Sequence, residues 1–371
     1  MKQVIQDISN GETKLIDVPA PALTKNTIII ETANTLVSAG TERSLVEFGK
    51  SNYLQKALKE PDRVKKVIDK IKTDGIHSAY EAVNSKLSQP IAIGYCNAGV
   101  VVESDLDEFP VGTRVVSNGP HAEVVRTGPN LCASIPDSVS LEHAPFAIIG
   151  SISLQAIRLT NPTIGETIVV SGLGLVGLMT VQILIANGIN VIGMDYDKTR
   201  CKLARDFGAT VLNLSENDDP VRFCNSLTNG LGVDGVIIAA STKSDEVIHQ
   251  AAQICRKKGR ITLVGVIGLN LRRDDFYEKE LTFKVSSSYG PGRYDPLYED
   301  KGIDYPFGEV RWTAKRNIES IINLMNKQSI NIEPLISHKY KLTNISQAYG
   351  QLASSSSLGI ILEYDSVSDN K

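Results

Sequence analysis

Cysteine and histidine are scarce in this chain, five of each among 371 residues. No two cysteines form a CxxC pair and no two histidines stand four apart, so neither a zinc-site nor a redox signature is present. Cys96, Cys132, Cys201, Cys224 and Cys255 read as free thiols of a reducing compartment rather than as a disulfide framework. Charge of one sign is missing too: 39 Lys and Arg stand against 42 Asp and Glu, a net charge of −3. That balance argues against a nucleic-acid partner held by bulk electrostatics and leaves a small molecule as the expected ligand. No apolar run approaches the roughly 18 residues that would span a bilayer. The opening MKQVIQDISNG also lacks the apolar stretch of a secretory leader, so the expectation is a cytoplasmic protein without membrane insertion.

What is present falls into two patterns, and the length itself suggests two domains. Residues 1–45 and 91–136 are strand-like. Asn10-Gly11 lies between two β-rich runs and predicts a tight hairpin, and TIIIETA (27–33), AGVVVES (98–104), GTRVVS (112–117) and AEVVRT (122–127) follow as short strands suited to a barrel. Between them, residues 46–90 switch to helical spacing with an excess of basic residues, which predicts two inserted helices. They would be a solvated amphipathic pair over the core, a lid or a subunit contact. From about residue 149 short apolar runs alternate with helix-length stretches: TIVVSG (167–172), NVIGMD (190–195), TVLNL (210–214), GVIIAA (235–240), RITLVG (260–265) and KVSSS (284–288). Such runs are expected of parallel strands buried on both faces of a doubly wound sheet. TAKRNIESIINLMNK then reads as a helix, with ISHKYKL and GIILEY as strands returning to the first domain.

The chemistry-bearing motif is Gly172-Leu173-Gly174-Leu175-Val176-Gly177, a GxGxxG between an apolar strand and an apolar helix. Gly172 would make the tight turn, Gly174 would let backbone approach a pyrophosphate, and Gly177 would let helix pack on strand. The helix N-terminus would then offer N–H groups to the phosphates. Asp195 closes the next strand, 18 residues beyond Gly177, where a carboxylate would accept from the adenosine ribose hydroxyls. A carboxylate there repels a 2′-phosphate, so NAD(H) is expected over NADP(H), although Lys198 and Arg200 lie close by.

Together with Ala39-Gly40-Thr41-Glu42, Gly94-Tyr95-Cys96-Asn97-Ala98-Gly99, Gly112-Thr113-Arg114-Val115 and the Gly-Val-Asp-Gly run at 232–235, this order of parts resembles the medium-chain dehydrogenase/reductase superfamily of alcohol dehydrogenase type. The resemblance implies an α/β chain: a GroES-like β-barrel catalytic domain (1–148 and 290–371, with the insertion at 46–90) plus a Rossmann doubly wound parallel sheet (149–289). It implies hydride transfer at the cleft between them and a homodimer or homotetramer. Leu175, Val176, Tyr196, Arg200, Ser241, Val266 and Ser288 would complete the cofactor contacts begun by Gly172, Gly174, Gly177 and Asp195. The stretch 286–312, with SAGTE (38–42), is also similar to the dehydrogenase half of two-part bacterial oxidoreductases of surface polysaccharide assembly, which points to a sugar-like substrate.

The departures from the family pattern carry as much. Zinc-dependent members place cysteine where this chain has Ala39 and histidine where it has Tyr95. Their third ligand falls within Ile149-Gly150-Ser151, so no zinc is expected, since a catalytic zinc takes three protein ligands. Hydrogen-bond donors would then act on the reacting oxygen. Tyr95 stands in the histidine's place, Thr41 aligns with the family's proton-relay hydroxyl, and Glu42 would orient that relay or exchange a proton itself. Tyr289, Arg293 and Tyr294 are candidate substrate contacts, because polar aromatics with arginine suit a carbohydrate or phosphorylated ligand, though the 286–312 segment suits a subunit interface equally. His121 stands alone, in the cleft or in a structural role. The expected function is a zinc-independent NAD(H)-linked oxidoreductase acting on a hydroxyl or carbonyl of a small sugar-like molecule. A quinone or enone reductase and a non-catalytic NAD-binding subunit or redox sensor are the alternatives.

Overall fold

The computed structural model describes residues 1–7, 11–40, 42–43, 90–216, 219–354 and 356–365. The predicted helical pair lies outside these residues, apart from Pro90. The first part contributes strands β1 (Lys2–Gln6), β2 (Thr13–Asp17), β3 (Ile28–Ser38), β4 (Ile91–Ala92), β5 (Asn97–Ser104), β6 (Arg114–Ser117), β7 (Val124–Thr127) and β8 (Cys132–Ser134). β1 and β2 pair antiparallel with Gln6 opposite Thr13, as the hairpin predicts, and Gly11 takes φ +74° in the connection; Asn10 is outside the described residues. β4 pairs with the other edge of β1.

The helix α1 (Phe146–Thr160) leads into six strands: β9 (Thr167–Ser171), β10 (Asn190–Asp195), β11 (Thr210–Asn213), β12 (Val233–Ile238), β13 (Cys255–Leu263) and β14 (Thr282–Val285). The crossovers between them include α2 (Leu175–Ala186), α3 (Lys198–Asp206), α4 (Pro220–Leu227), α5 (Glu246–Ile254) and α6 (Arg273–Tyr277). All neighbours are parallel, in the order β11-β10-β9-β12-β13-β14. The order reverses between β9 and β12, which opens a crevice at the carboxyl ends of those strands. Ile168, Val169 and Val170 of β9 are wholly buried, as a central strand covered by helices on both faces requires.

The last part adds α7 (Pro296–Glu299), α8 (Ala314–Asn326), β15 (Ile336–Lys341), α9 (Ile345–Gly350) and β16 (Gly359–Glu363). β16 returns to the first part as its sequence suggests, running antiparallel to the C-terminal half of β3, while β7 takes the N-terminal half. The resulting sheet runs β15-β16-β3-β5-β6-β8. α1 packs against α2 and α8 so closely that a Cβ on Gly150 would lie 2.7 Å from Ile321 and 2.9 Å from Met179. Gly150 is thus a packing glycine, and Ile149 beside it is fully buried.

Candidate active site between the two sheets

A cleft of about 1280 Å³ runs along the carboxyl ends of β9, β10, β12 and β13. Its opposite wall comes from the end of β3, the β4–β5 connection and the residues before β16. The three glycines of the fingerprint differ in their surroundings. Gly172 sits at φ +93°, and a Cβ on it would lie 2.6 Å from the Ala240 nitrogen. A Cβ on Gly177 would meet the Gly172 carbonyl oxygen at 1.9 Å, so only glycine lets α2 sit this close to β9. Around Gly174 there is nothing within 4 Å of the Cβ position. Gly174 is also the N-cap of α2, with no side chain capping it, so the first turn turns its backbone N–H groups to the cleft. Gly172, Gly174, Leu175 and Val176 line the cleft, whereas Gly177 stands behind them.

Asp195 lines the same cleft at the end of β10. Its Oδ2 accepts from the Leu173 N–H at 2.6 Å and its Oδ1 from the Asp197 N–H at 2.9 Å, which fixes the carboxylate against the glycine loop. Asp197 in turn caps α3 through the N–H groups of Thr199 and Arg200. Tyr196, Arg200, Ser241, Val266 and Ser288 all reach the cleft. Ser241 and Val266 pair in a short parallel bridge that prolongs β12 and β13 past their ladders. The residues present fit a dinucleotide: an uncapped helix N-terminus, an open glycine cradle that a Cβ would fill, and an acid one strand over.

The opposite wall carries Ala39 and Tyr95. Thr41 falls outside the described residues. Glu42 does not line the cleft, although the sequence reading places it in the chemistry. It is 1% exposed, and its carboxylate accepts from the Ser38 N–H at 3.0 Å, from His121 Nε2 at 3.2 Å and from the Tyr349 hydroxyl. His121 bonds Thr35 Oγ1 through Nδ1 at 2.7 Å and is fully buried, so it is structural. This network ties the end of β3 to the segment before β7 and to α9. Burial, reinforced by Glu42, pushes the Tyr349 hydroxyl well above its ordinary range, so it serves as a donor to Glu42.

At the third metal-ligand position, Ser151 is buried in α1 and donates to the Ile148 carbonyl at 2.7 Å. The Cys96 thiol is pushed well up by burial and by Glu42. Among the described residues, the one trio of metal-ligating type is Glu142, His143 and Glu333, before α1 and beside β15, where Lys339 already pairs with Glu142 at 2.7 Å. Among the described residues, the donor set of the cleft does not fit a catalytic zinc.

The segment after β14 splits into two groups. Tyr289, Arg293 and Tyr294 line the cleft. Tyr289 is buried, donates to Asn118 Oδ1 at 2.8 Å, and burial raises its hydroxyl well above the ordinary range. Arg293 pairs with Glu299 and lies over the Tyr294 ring. Tyr298, Tyr305, Arg311 and Trp312 are elsewhere. Tyr298 is buried and stacks on Tyr305, and Trp312 has Arg158 at 3.4 Å and Arg311 at 3.8 Å from its ring centroid. Two guanidinium carbons that close to one centroid must occupy opposite faces. Sequence reasoning missed Gln6, Arg43 and Ile91, which also line the cleft. They come from segments whose pattern speaks only of strands.

Residues 176–300 match the family model described as zinc-binding dehydrogenase. An alcohol dehydrogenase of Moraxella sp. (strain TAE123) is 30% identical over 176 residues, 47% of this chain and 51% of that protein. The D-arabitol-phosphate dehydrogenase of Enterococcus avium is 25% identical over 259 residues, 68% of this chain and 66% of that one. The chain thus spans from about half to two thirds of the length of these relatives. In fold, alcohol dehydrogenase TADH from Thermus sp. ATN1 superposes with a TM-score of 0.73 at 18% identity, over 98% of this chain and 100% of that one. Over residues 176–300 the chain is thus similar to zinc-binding dehydrogenases, and it shares the fold of the alcohol dehydrogenases. The matched span covers the glycine-loop helix from Val176 and the strands after it, and none of positions 39, 95 or 149–151 lies within it.

Proposed function

We propose that this protein is a medium-chain dehydrogenase/reductase of alcohol dehydrogenase type, an NAD(H)-linked oxidoreductase that works without zinc on a hydroxyl or carbonyl of a small sugar-like molecule. The carrying observation is that an intact dinucleotide cradle, open at Gly174 and flanked by Asp195, faces a wall with Tyr95 and Ala39 in place of metal ligands. The D-arabitol-phosphate relative supports a sugar-alcohol substrate class. Gly174, Leu175 and Val176 would hold the pyrophosphate by backbone N–H groups, and Asp195 the adenosine ribose. The nicotinamide supplies or accepts the hydride when bound.

This chain's own residues do the rest. With no metal to polarise the carbonyl, the Tyr95 hydroxyl donates a hydrogen bond to the reacting oxygen and yields its proton as the substrate carbon is reduced; water returns a proton to the phenolate. Tyr289 is held by Asn118 and is too strongly protonated to act as a base, so it shapes the wall. The test is a fluorescence titration with NADH and NADPH, followed by a polyol screen on the wild type and Tyr95→Phe with metal analysis of the same sample. Binding of neither cofactor, or about one zinc per chain, would refute the proposal.

A further inference from the structure

Two residues of the cleft wall have no task in that reading. Gln6 ends β1, lines the cleft, is 2% exposed, and its Nε2 has no hydrogen-bond partner among the described residues. Arg43 follows β3 and lines the same cleft. Its Nη2 donates to the Ser354 carbonyl at 3.0 Å, and among the described residues its buried Nε has no partner and no carboxylate pairs with it. The neighbouring Glu42 cannot serve, because Ser38, His121 and Tyr349 already occupy its carboxylate.

Both groups sit on the barrel side. Gln6 stands opposite Ile91 in the β1–β4 ladder, and Ile91 lines the cleft beside it. Arg43 is reached through Ser38, Ala39 and Gly40, which line it as well. The other cations of the cleft do not compete for this place: Arg293 is neutralised by Glu299, and Arg200 belongs to the β10 end of the opposite wall. A guanidinium is a donor only, and a half-turn of the last glutamine torsion presents the amide nitrogen or the oxygen to the cleft. An amide nitrogen buried without an acceptor and a half-buried guanidinium without a counter-charge are both costly, and one oxyanion would satisfy both. Arginine suits that task because its planar fork meets two oxygens of a carboxylate or phosphate at once.

We propose that Gln6 and Arg43 form a subsite for an oxyanion carried by the substrate, which makes the substrate an acidic or phosphorylated sugar derivative. The pyrophosphate of the cofactor has its own place at the N-terminus of α2, on the other wall. The assignment of the anion to the substrate rests on the proposed function, whereas the existence of the subsite does not.

The experiment is calorimetric titration of the NADH-saturated protein with inorganic phosphate, with gluconate and with sorbitol, repeated without NADH. The wild type should take one anion per chain, phosphate or gluconate binding more tightly according to which source the subsite serves. Arg43→Met and Gln6→Leu should each weaken that anion about tenfold or more, as expected for a lost charge-assisted hydrogen bond, and leave sorbitol and NADH affinities unchanged. Gln6→Glu, which keeps the side chain's shape and adds a negative charge, should weaken it at least as much and stands in if Gln6→Leu does not fold. Wild type that binds neither anion overturns the subsite, as do variants that bind the anion like wild type. A comparable loss of NADH affinity in Arg43→Met would give Arg43 to the pyrophosphate and also overturn it. Anion binding without any NADH binding would keep the subsite and sink the cofactor reading, so the two failures are distinguishable.

Discussion

Gly174 and Gly177 lie three residues apart in one loop, yet their replacement by alanine should fail in different ways. A methyl at 174 meets nothing within 4 Å, and the residue's φ of −70° and ψ of −170° are open to any amino acid. Gly174→Ala should therefore fold with a melting temperature within a degree or two of wild type, since an N-cap Gly→Ala change costs at most about 1 kcal/mol. The same methyl projects into the space a pyrophosphate must enter to reach the first turn of α2. Holding the anion off by even one charge-assisted hydrogen bond loses about 1.5 kcal/mol or more, a tenfold or greater weakening of NADH binding. At 177 the arithmetic reverses. A Cβ there would stand 1.9 Å from the Gly172 carbonyl oxygen, a backbone atom, so α2 must move away from β9 by more than an ångström. Overpacking of this kind costs about 1–3 kcal/mol, at the upper end for a backbone clash, against a helix-propensity gain of up to about 1 kcal/mol. A net loss of about 2 kcal/mol should lower the melting temperature by roughly 3 degrees in a chain of 371 residues. Thermal unfolding and NADH fluorescence titration on both variants check the pair. NADH affinity in Gly174→Ala equal to wild type would refute the cradle, and an undiminished melting temperature in Gly177→Ala would refute the packing argument.

Tyr95→Phe should lower kcat by about 10²–10⁴-fold while leaving the NADH dissociation constant unchanged; equal turnover in the variant would remove Tyr95 from the chemistry. Asp195→Asn should narrow the NADH over NADPH preference by about tenfold, because it removes the charge that repels a 2′-phosphate; a preference that does not move in paired titrations would show that something else reads the ribose. Dialysis against a strong chelator should leave turnover intact, and a loss restored by added zinc would return the metal to the site. The buried thiols of Cys224 and Cys255 are each pushed up to about 12 by desolvation. Below the ordinary thiol value near 9 they are neutral in both folded and unfolded chains and do not bias stability. Above it the unfolded chain loses their protons first, so stability falls between about pH 9 and 12 by up to about 1.4 kcal/mol per pH unit for each thiol. Urea unfolding across that range measures the slope, which should flatten in Cys224→Ala/Cys255→Ala; a slope unchanged by the double substitution would sink the assignment.

The parallel sheet was legible because its strands are apolar on both faces and punctuated by glycine, and every predicted run from TIVVSG to KVSSS contains or overlaps a strand of the observed order. The return of GIILEY to the first part was equally plain. α1 was not: FAIIGSISLQAIRLT is buried along nearly its whole length, so no polar face marks a helical period, and the predicted boundary at 149 falls inside it. The glycine-loop wall of the cleft was readable because GxGxxG and its acid lie within one strand-helix-strand unit. Gln6, Arg43 and Ile91 were not readable, because only the β1–β4 pairing and the turn after β3 bring them to the cleft.

Glu42 shows how the same limit misleads. Its place beside Thr41 in a family motif assigns it to a relay, but the direction of a side chain depends on neighbours far along the chain. Here His121 and Tyr349 supply two donors inside the barrel, and the Ser38 N–H supplies a third. A carboxylate with three donors has its hydrogen bonds satisfied where no water reaches it, and turning it to the cleft would strand all three. Replacement by glutamine keeps an acceptor for Ser38 at Oε1 but puts an NH₂ where Oε2 now accepts from both His121 and Tyr349, so Glu42→Gln should cost about 1–3 kcal/mol of stability. If Glu42 acts only through this clamp, the variant's turnover below its melting transition should keep the wild-type pH profile. A shifted profile would place Glu42 in the proton path and overturn the structural role given to it by its three donors.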